Sequence, residues 1–294
     1  MKRREFVMAA TGALAAAPVA QAAVMLSGPP GPSPSKSGYV DVNGLHMYYE
    51  RHGQGGIPLV LLHGGFSAIG TSFGVLLPGL SAKREVIAFE LQGHGHTADI
   101  DRPLSYEAMA GDIGAALEAL HIPSADVFGY SVGGVVALHL ALQHPDKVRR
   151  LVILSATYRR DGIQPGLMDN LGKMQPAMMH GTPWYEEYEK IAPRPEDFDR
   201  LFTKKNEMDK NQKDIPDDAI RGLKMPVLLI AGDNDLPTLE HMAKFYRLLG
   251  GGGFGDMPPG LPKSRLAILP GTSHVTAPSK KVLLLEIIPD FLDG

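Results

Sequence analysis

Two serines occur in the pattern Gly-x-Ser-x-Gly, in which a serine can act as a nucleophile on a tight turn from strand to helix. They are Ser72, in Gly-Thr-Ser-Phe-Gly, and Ser131, in Gly-Tyr-Ser-Val-Gly. Such a turn needs glycines because neighbouring backbone approaches too closely for a Cβ. A chain with 34 glycines can produce the bare pattern by chance, so the flanking residues must distinguish the two serines.

The flanks of Ser131 are those that a nucleophile requires. The apolar run at 126–130 predicts a buried strand leading into Ser131, and residues 135–142 predict an enclosed helix after it. The positive end of that helix would face an oxyanion developing at the serine. Ser72 has no strand before it, and we expect it to cap a short helix at 75–80. Ser131 is therefore the predicted nucleophile.

A serine hydroxyl also needs a base, and the base needs a carboxylate to orient it. Asp233 and Asp235 follow the apolar run at 227–230, and His274 follows the run at 266–269. The order serine, aspartate, histidine is one of the known chain orders of a Ser-His-Asp triad. Both aspartates are candidates on position alone.

The elements that must position these residues alternate along the chain. Short apolar runs predict strands at 59–62, 85–89, 126–130, 151–154, 227–230 and 266–269. Helical periodicity lies between them, for example at 106–120, and Asn43-Gly44 predicts a hairpin turn within 39–50. The alternation predicts an α/β fold, a mostly parallel sheet with helices on both faces.

One segment interrupts this alternation. Residues 157–224, here called the cap segment, contain 12 Lys/Arg and 13 Asp/Glu, a higher density than the 21% charged residues of the whole chain. We expect a helical cap inserted into a core formed by residues 39–156 and 225–294. Its methionines and Trp184 would form a small core of their own or line an adaptable pocket over the site.

Residues 39–294 resemble a serine hydrolase of the α/β-hydrolase fold with a helical cap. In that family the acid of a Gly-Asp-x-Asp segment is usually the second aspartate, which implies Asp235, with Asp233 supporting the turn. His63-Gly-Gly-Phe66 is similar to the family's oxyanion loop. The resemblance implies that an oxyanion would bind the backbone N–H of Val132 and that of Gly65 or Phe66.

The resemblance implies hydrolysis of a carboxylic ester or lactone of a small molecule through an acyl-enzyme, without a cofactor. Tyr130, beside the predicted nucleophile, is a candidate substrate-binding residue. C–C bond hydrolysis and cofactor-free perhydrolysis use the same triad and remain alternatives. A different class, a small-molecule binder or sensor with slow turnover, also remains open.

Several other functions are disfavoured. A net charge of -3 gives no basic field for nucleic acid, and the absence of cysteine excludes thiolate metal sites. His94, His96 and Asp99 do not have the spacing of a metallo-lactamase site, and the Gly-His-Gly turn containing His94 is structural in the resembled family. The glycines at 250–255 follow a helix rather than a strand, which argues against a dinucleotide site.

The N-terminus resembles a bacterial twin-arginine export signal. Arg3-Arg4-Glu-Phe6 precedes an alanine-rich run, and Ala20-Gln-Ala22 is a small-x-small cleavage pattern. We expect a signal peptide at 1–22, a Pro/Ser/Gly linker at 23–38 and export to the periplasm, with no stable membrane association after cleavage.

Overall fold

The computed structural model describes residues 33–294. The expected export signal at 1–22 and residues 23–32 of the expected linker lie outside this range. Within the range, no helix is long and apolar enough to cross a membrane.

An eight-stranded sheet forms the centre of the described chain. Its strands are β1 (Lys36–Val42), β2 (Leu45–His52), β3 (Leu59–Leu62), β4 (Val86–Phe89), β5 (Ala125–Tyr130), β6 (Val148–Leu154), β7 (Val227–Asn234) and β8 (Arg265–Ser273). They lie in the order β1-β2-β4-β3-β5-β6-β7-β8. The pairs β1–β2 and β2–β4 are antiparallel, and the other pairs are parallel. The predicted mostly parallel α/β sheet is confirmed.

Helices pack on both faces of the sheet and also form the cap segment. They are α1 (Ile69–Phe73), α2 (Leu77–Leu80), α3 (Tyr106–Ala119), α4 (Val132–Gln143), α5 (Leu167–Leu171), α6 (Pro183–Ile191), α7 (Phe198–Lys210), α8 (Asp217–Arg221), α9 (Leu239–Leu248) and α10 (Lys281–Asp293). Helices α3, α4 and α9 contribute to one apolar cluster, and α1, α2 and α10 contribute to the other. Alternate residues of β3 point into opposite clusters, which explains why the strand is apolar at every position.

The N-terminal hairpin forms as predicted, but it begins earlier. Asn43 and Gly44 have φ of 50° and 79°, the left-handed pair that a type I′ turn requires. The expected linker boundary at residue 38 is wrong, because Lys36–Val42 pairs with β2. Pro34 is the last proline before β1, and the backbone N–H of Ser35 donates to the carbonyl of Arg51 at 2.8 Å.

The cap segment lies between β6 and β7 and contains α5 to α8 with 3₁₀ turns between them. Met179 and Met208 of this segment are buried in the same cluster as the core helices, whereas Met178 is exposed. Helix α7 packs its Phe202 ring on Phe66 of the loop after β3, with ring centroids 5.2 Å apart. This contact places α7 against the loop that follows β3.

Candidate active site

Ser131 occupies a sharp turn between β5 and α4. Its backbone has φ 53° and ψ −117°, a strained conformation for a residue with a side chain. A Cβ at Gly129 would overlap the carbonyl of Gly133, and a Cβ at Gly133 would overlap the carbonyl of Leu62. The turn is therefore possible only because both positions are glycine.

A chain of hydrogen bonds connects three side chains that are far apart in sequence. The Oγ atom of Ser131 lies 2.9 Å from Nε2 of His274. The Nδ1 atom of the same ring lies 2.8 Å from Oδ1 of Asp235. The side chain of His274 is 27% exposed and that of Asp235 is fully buried. The imidazole is thus partly exposed, while its carboxylate partner is shielded from water.

The buried Asp235 carboxylate is surrounded by donors. Its Oδ1 also accepts from the Leu236 N–H at 2.6 Å. Its Oδ2 accepts from the Ser155 hydroxyl at 2.5 Å and from the Gly232 N–H at 2.9 Å. Burial alone would raise the pKa of Asp235, but the bonds from His274, Ser155 and Gly232 hold this pKa below its ordinary value. The carboxylate is therefore ionised at neutral pH and can orient His274.

Asp233 serves the backbone instead. Its two oxygens accept from the N–H groups of Thr272 and Gly271 at 2.9 and 2.8 Å. These bonds, together with one from the Asn234 side chain, lower the pKa of Asp233 to about 2. Asp233 thus fixes the end of β8, from which His274 follows. Of the two candidate aspartates, the structure brings Asp235 to the histidine.

Backbone donors lie on both sides of the serine. Within residues 33–294, the N–H groups of Val132, Gly65 and Phe66 have no hydrogen-bond acceptor. The N–H of Gly64 donates to the Ser72 hydroxyl at 3.2 Å. The first amide of α4 and two amides of the loop after β3 are thereby free to receive an anionic oxygen beside Ser131.

The expectation that Ser72 caps a helix at 75–80 is wrong. Ser72 lies inside α1, and α2 begins only at Leu77. The side chain is buried because α1 packs against the loop after β3, where its hydroxyl holds the Gly64 N–H. The second Gly-x-Ser-x-Gly motif therefore supports the loop that carries the free amides.

Tyr130 is 7% exposed and lies beneath His274 rather than in the open part of the site. Its hydroxyl donates to the carbonyl of His274 at 2.9 Å, and the two ring centroids are 5.4 Å apart. Burial raises the pKa of Tyr130 above its ordinary value, so the hydroxyl remains a donor at neutral pH. Tyr130, the candidate substrate-binding residue, thus contacts the histidine. Sequence reasoning did not find this contact, nor that of Ser155, which directly follows β6.

Three further histidines near the site, His63, His94 and His96, bond to backbone groups or to a carboxylate of the protein. His63 accepts from the Leu91 N–H at 3.0 Å, and His94 bonds to the carbonyl of Gln92 at 2.9 Å. Burial lowers the pKa of His63 to about 3 and that of His94 to about 4, so both rings are neutral at pH 7. His96 pairs with Glu90 at 2.9 Å. These contacts fasten the loops behind the site.

Comparisons with known proteins agree with the α/β fold described above. The family model of the alpha/beta hydrolase fold matches residues 57–276. A pimeloyl-[acyl-carrier protein] methyl ester esterase of Neisseria meningitidis serogroup B is 30% identical over 259 residues, covering 80% of this chain and 92% of that protein. The enol-lactonase structure from Burkholderia xenovorans LB400 superposes with a TM-score of 0.68 at 20% identity, covering 87% of this chain and 100% of that one.

Other relatives match only in part. A serine hydrolase of Mus musculus is 33% identical over 124 residues, which is 41% of this chain and 43% of that protein. The chain spans less than half the length of the first curated relatives that it matches. The family match itself covers most of the sequence and includes Ser131, Asp235 and His274. The chain belongs to the alpha/beta hydrolase fold family.

Proposed function

We propose that this protein is a serine hydrolase that cleaves a carboxylic ester or lactone of a small molecule. The observation that carries the proposal is the hydrogen-bonded chain from Ser131 through His274 to the buried Asp235. The esterase relative, matched over 92% of its length, supports an ester as the substrate class.

In the proposed mechanism Ser131 Oγ attacks the substrate carbonyl while His274 Nε2 takes its proton. Asp235 stays ionised and stabilises the imidazolium through Nδ1. The tetrahedral oxyanion is received by the N–H of Val132 and by one from the segment Gly65–Phe66. The alcohol leaves with the proton held by His274, and a water activated by the same ring then hydrolyses the acyl-enzyme.

Two side chains that touch His274 and Asp235 keep the base in place. The Tyr130 hydroxyl donates to the backbone carbonyl of His274, and the Ser155 hydroxyl donates to Oδ2 of Asp235. Because both the backbone of His274 and its Nδ1 atom are fixed, the ring already directs Nε2 at Ser131 before substrate binds. We assign Tyr130 and Ser155 as positioning residues.

The test is a burst and steady-state assay with the p-nitrophenyl esters of acetate, butyrate and octanoate. Wild type, Ser131→Ala, His274→Ala and Ser72→Ala are compared, and a fluorophosphonate probe is mapped by mass spectrometry. We expect turnover and labelling at Ser131 that are lost in Ser131→Ala and retained in Ser72→Ala. No turnover and no labelling of the folded wild type would refute the proposal.

We also propose that the mature protein is exported and begins after Ala22. The paired Arg3 and Arg4 and the small residues Ala20 and Ala22 support this proposal. Expression in a bacterium with a twin-arginine pathway, followed by N-terminal sequencing of the periplasmic protein, tests it. Export that persists unchanged when Arg3 and Arg4 are both replaced by lysine would contradict the proposed route.

A further inference from the structure

Lys205 of helix α7 lies against the loop that carries the free amides. Phe198, Phe202 and Lys205 have the spacing i, i+4, i+7, which places them on one face of the helix. All three meet Phe66: the ring centroids of Phe198 and Phe202 lie 6.1 and 5.2 Å from that of Phe66, and the Nζ of Lys205 lies 5.1 Å from it. This face of α7 therefore covers the loop after β3.

The side chain of Lys205 also reaches the neighbourhood of the serine turn. A Cβ at Gly65 would lie 3.0 Å from Cε of Lys205 and 3.8 Å from its Nζ. The same Cβ would lie 3.0 Å from Cγ2 of Val132, the residue after Ser131. Lys205 and Val132 thus approach Gly65 together, and the ammonium lies beside the proposed oxyanion site.

The ammonium groups of Lys204 and Lys205 differ in how many of their N–H donors are used within the described residues. Lys204 donates to Asp99 Oδ2, the Ile100 carbonyl and the Arg102 carbonyl at 2.7, 2.8 and 2.9 Å. Lys205 is as deeply placed, with 13% of its side chain exposed against 16%, yet within residues 33–294 it makes one hydrogen bond, at 2.5 Å to Asp209. An ammonium has three donors, so two remain for a ligand.

Asp209, the hydrogen-bond partner of Lys205, is itself held by further contacts. The other oxygen of Asp209 accepts from the Tyr106 hydroxyl at 3.0 Å, and Arg160 donates to the Asp209 carbonyl at 3.0 Å. Burial and the charge of Asp209 raise the pKa of Tyr106 well above its ordinary value, so this hydroxyl stays a donor. Asp209 can therefore fix the position of the ammonium while leaving its remaining donors directed elsewhere.

We propose that Lys205 binds a carboxylate carried by the substrate, so that the substrate is an ester or lactone with an anionic group near its reacting carbonyl. A partly buried ammonium with two spare donors suits a single carboxylate, which accepts charge-assisted hydrogen bonds. The proposal rests on the proposed function and narrows its substrate class. It makes Lys205 a specificity-determining residue that contacts substrate.

The test compares two p-nitrophenyl esters of equal chain length, the glutarate half-ester, which has a free carboxylate, and the neutral pentanoate. Wild type, Lys205→Met and Lys205→Arg are assayed, and Lys210→Met, an exposed position on the same helix, serves as the charge-matched control. Loss of a charge-assisted hydrogen bond should lower kcat/KM for the glutarate ester about 10- to 100-fold in Lys205→Met, mainly through KM. The pentanoate ester should change by less than about threefold, since it makes no contact that depends on this charge.

Lys205→Met leaves Asp209 buried without its cation, which can prevent folding. The double variant Lys205→Met/Asp209→Asn removes both charges and should show the same selective loss. Lys205→Arg should recover part of the glutarate activity, whereas a purely structural lysine would affect both esters alike. If the wild type hydrolyses the pentanoate ester but Lys205→Met changes kcat/KM for both esters equally, this inference is overturned and the proposed function is not. No turnover of either ester would overturn the proposed function and the inference with it.

Discussion

Replacing Asp235 by asparagine tests the candidate site most directly, because the substitution keeps the shape of the side chain. The carboxylate accepts four hydrogen bonds, two at each oxygen. Oδ1 faces His274 and the Leu236 N–H, and Oδ2 faces Ser155 and the Gly232 N–H. Asparagine has one acceptor oxygen and one NH₂ group. In either orientation, the NH₂ therefore faces a backbone N–H that cannot reverse its role.

The cost to stability follows from that single unmatched donor. A buried N–H without an acceptor costs about 1–3 kcal/mol. Asp235 is fully buried at its side chain, so water cannot replace the lost acceptor. For a chain of this size each kcal/mol lowers Tm by about 2–4 °C. We expect Asp235→Asn to fold and to melt about 2–12 °C below the wild type.

The cost to activity depends on the imidazole. With NH₂ on the His274 side, Nδ1 must become an acceptor and the proton moves to Nε2, which then cannot take the proton of Ser131. Such a tautomer change lowers kcat by about 10⁴-fold. With NH₂ on the Ser155 side the tautomer survives, but no charge stabilises the imidazolium. We expect kcat to fall by about 10²- to 10⁴-fold overall.

Asp233→Asn is the matched control. This carboxylate accepts from Gly271 and Thr272 rather than from His274, and it is exposed. Its variant should keep kcat within about threefold, since no group of the proposed mechanism loses a partner. Steady-state kinetics with the best p-nitrophenyl ester, together with the rate of fluorophosphonate labelling, measures both variants. Folded Asp235→Asn with more than a tenth of the wild-type kcat, or an equal loss in Asp233→Asn, would refute the reasoning.

Three further predictions concern the scaffold. Burial lowers the pKa of His241 to about 4. Between about pH 6.5 and about pH 4 the unfolded chain therefore binds a proton at this residue that the folded chain does not bind. The free energy of unfolding consequently falls as the pH drops through this window. His241→Phe should reduce the slope of unfolding free energy against pH in this window by up to about 1.4 kcal/mol per pH unit, measured in urea; an unchanged slope would contradict the assignment. Gly111 lies within helix α3, and a Cβ there would meet only Gln143, at 3.9 Å. Gly111→Ala should therefore raise the free energy of unfolding by about 1 kcal/mol, and a lower Tm for this variant would argue against the reasoning. Gly133→Ala, by contrast, should abolish folding because its Cβ would overlap the backbone of Leu62. Ser72→Ala removes the acceptor of the Gly64 N–H and should lower kcat by less than about tenfold with labelling of Ser131 intact, which distinguishes a loop support from a second nucleophile.

The strands and the candidate residues at their ends could be predicted because both have local sequence patterns. A strand buried on both faces is apolar at every position, and β3 was predicted to the residue. Parallel strands end at one edge of the sheet, so residues that directly follow β5, β7 and β8 must lie near one another. The proximity of Ser131, Asp235 and His274 follows from that topology.

The support of the site could not be predicted because it depends on contacts between distant segments. Tyr130 is 144 positions from the carbonyl that it holds, and Ser155 is 80 positions from Asp235. A tyrosine or serine at a strand end has no local pattern that selects its partner. Ser72 shows the same limit, since its position before the apolar run at 75–80 suggested a helix cap, whereas packing of α1 places its hydroxyl on the Gly64 N–H.

The two adjacent lysines of α7 show why local sequence is insufficient for specificity. Lys204 and Lys205 have the same chemistry, but one residue turns the helix by about 100°, so their side chains leave it in different directions. Lys204 meets the loop containing Asp99, whose oxygens take all of its donors, and it anchors the helix. Lys205 meets Phe66 and Gly65 of the loop after β3, and within residues 33–294 its one hydrogen-bond acceptor is Asp209 of its own helix. The difference in function that we propose therefore arises from the opposing surface, and it implies that changes in Phe66 would alter which substrates Lys205 can reach.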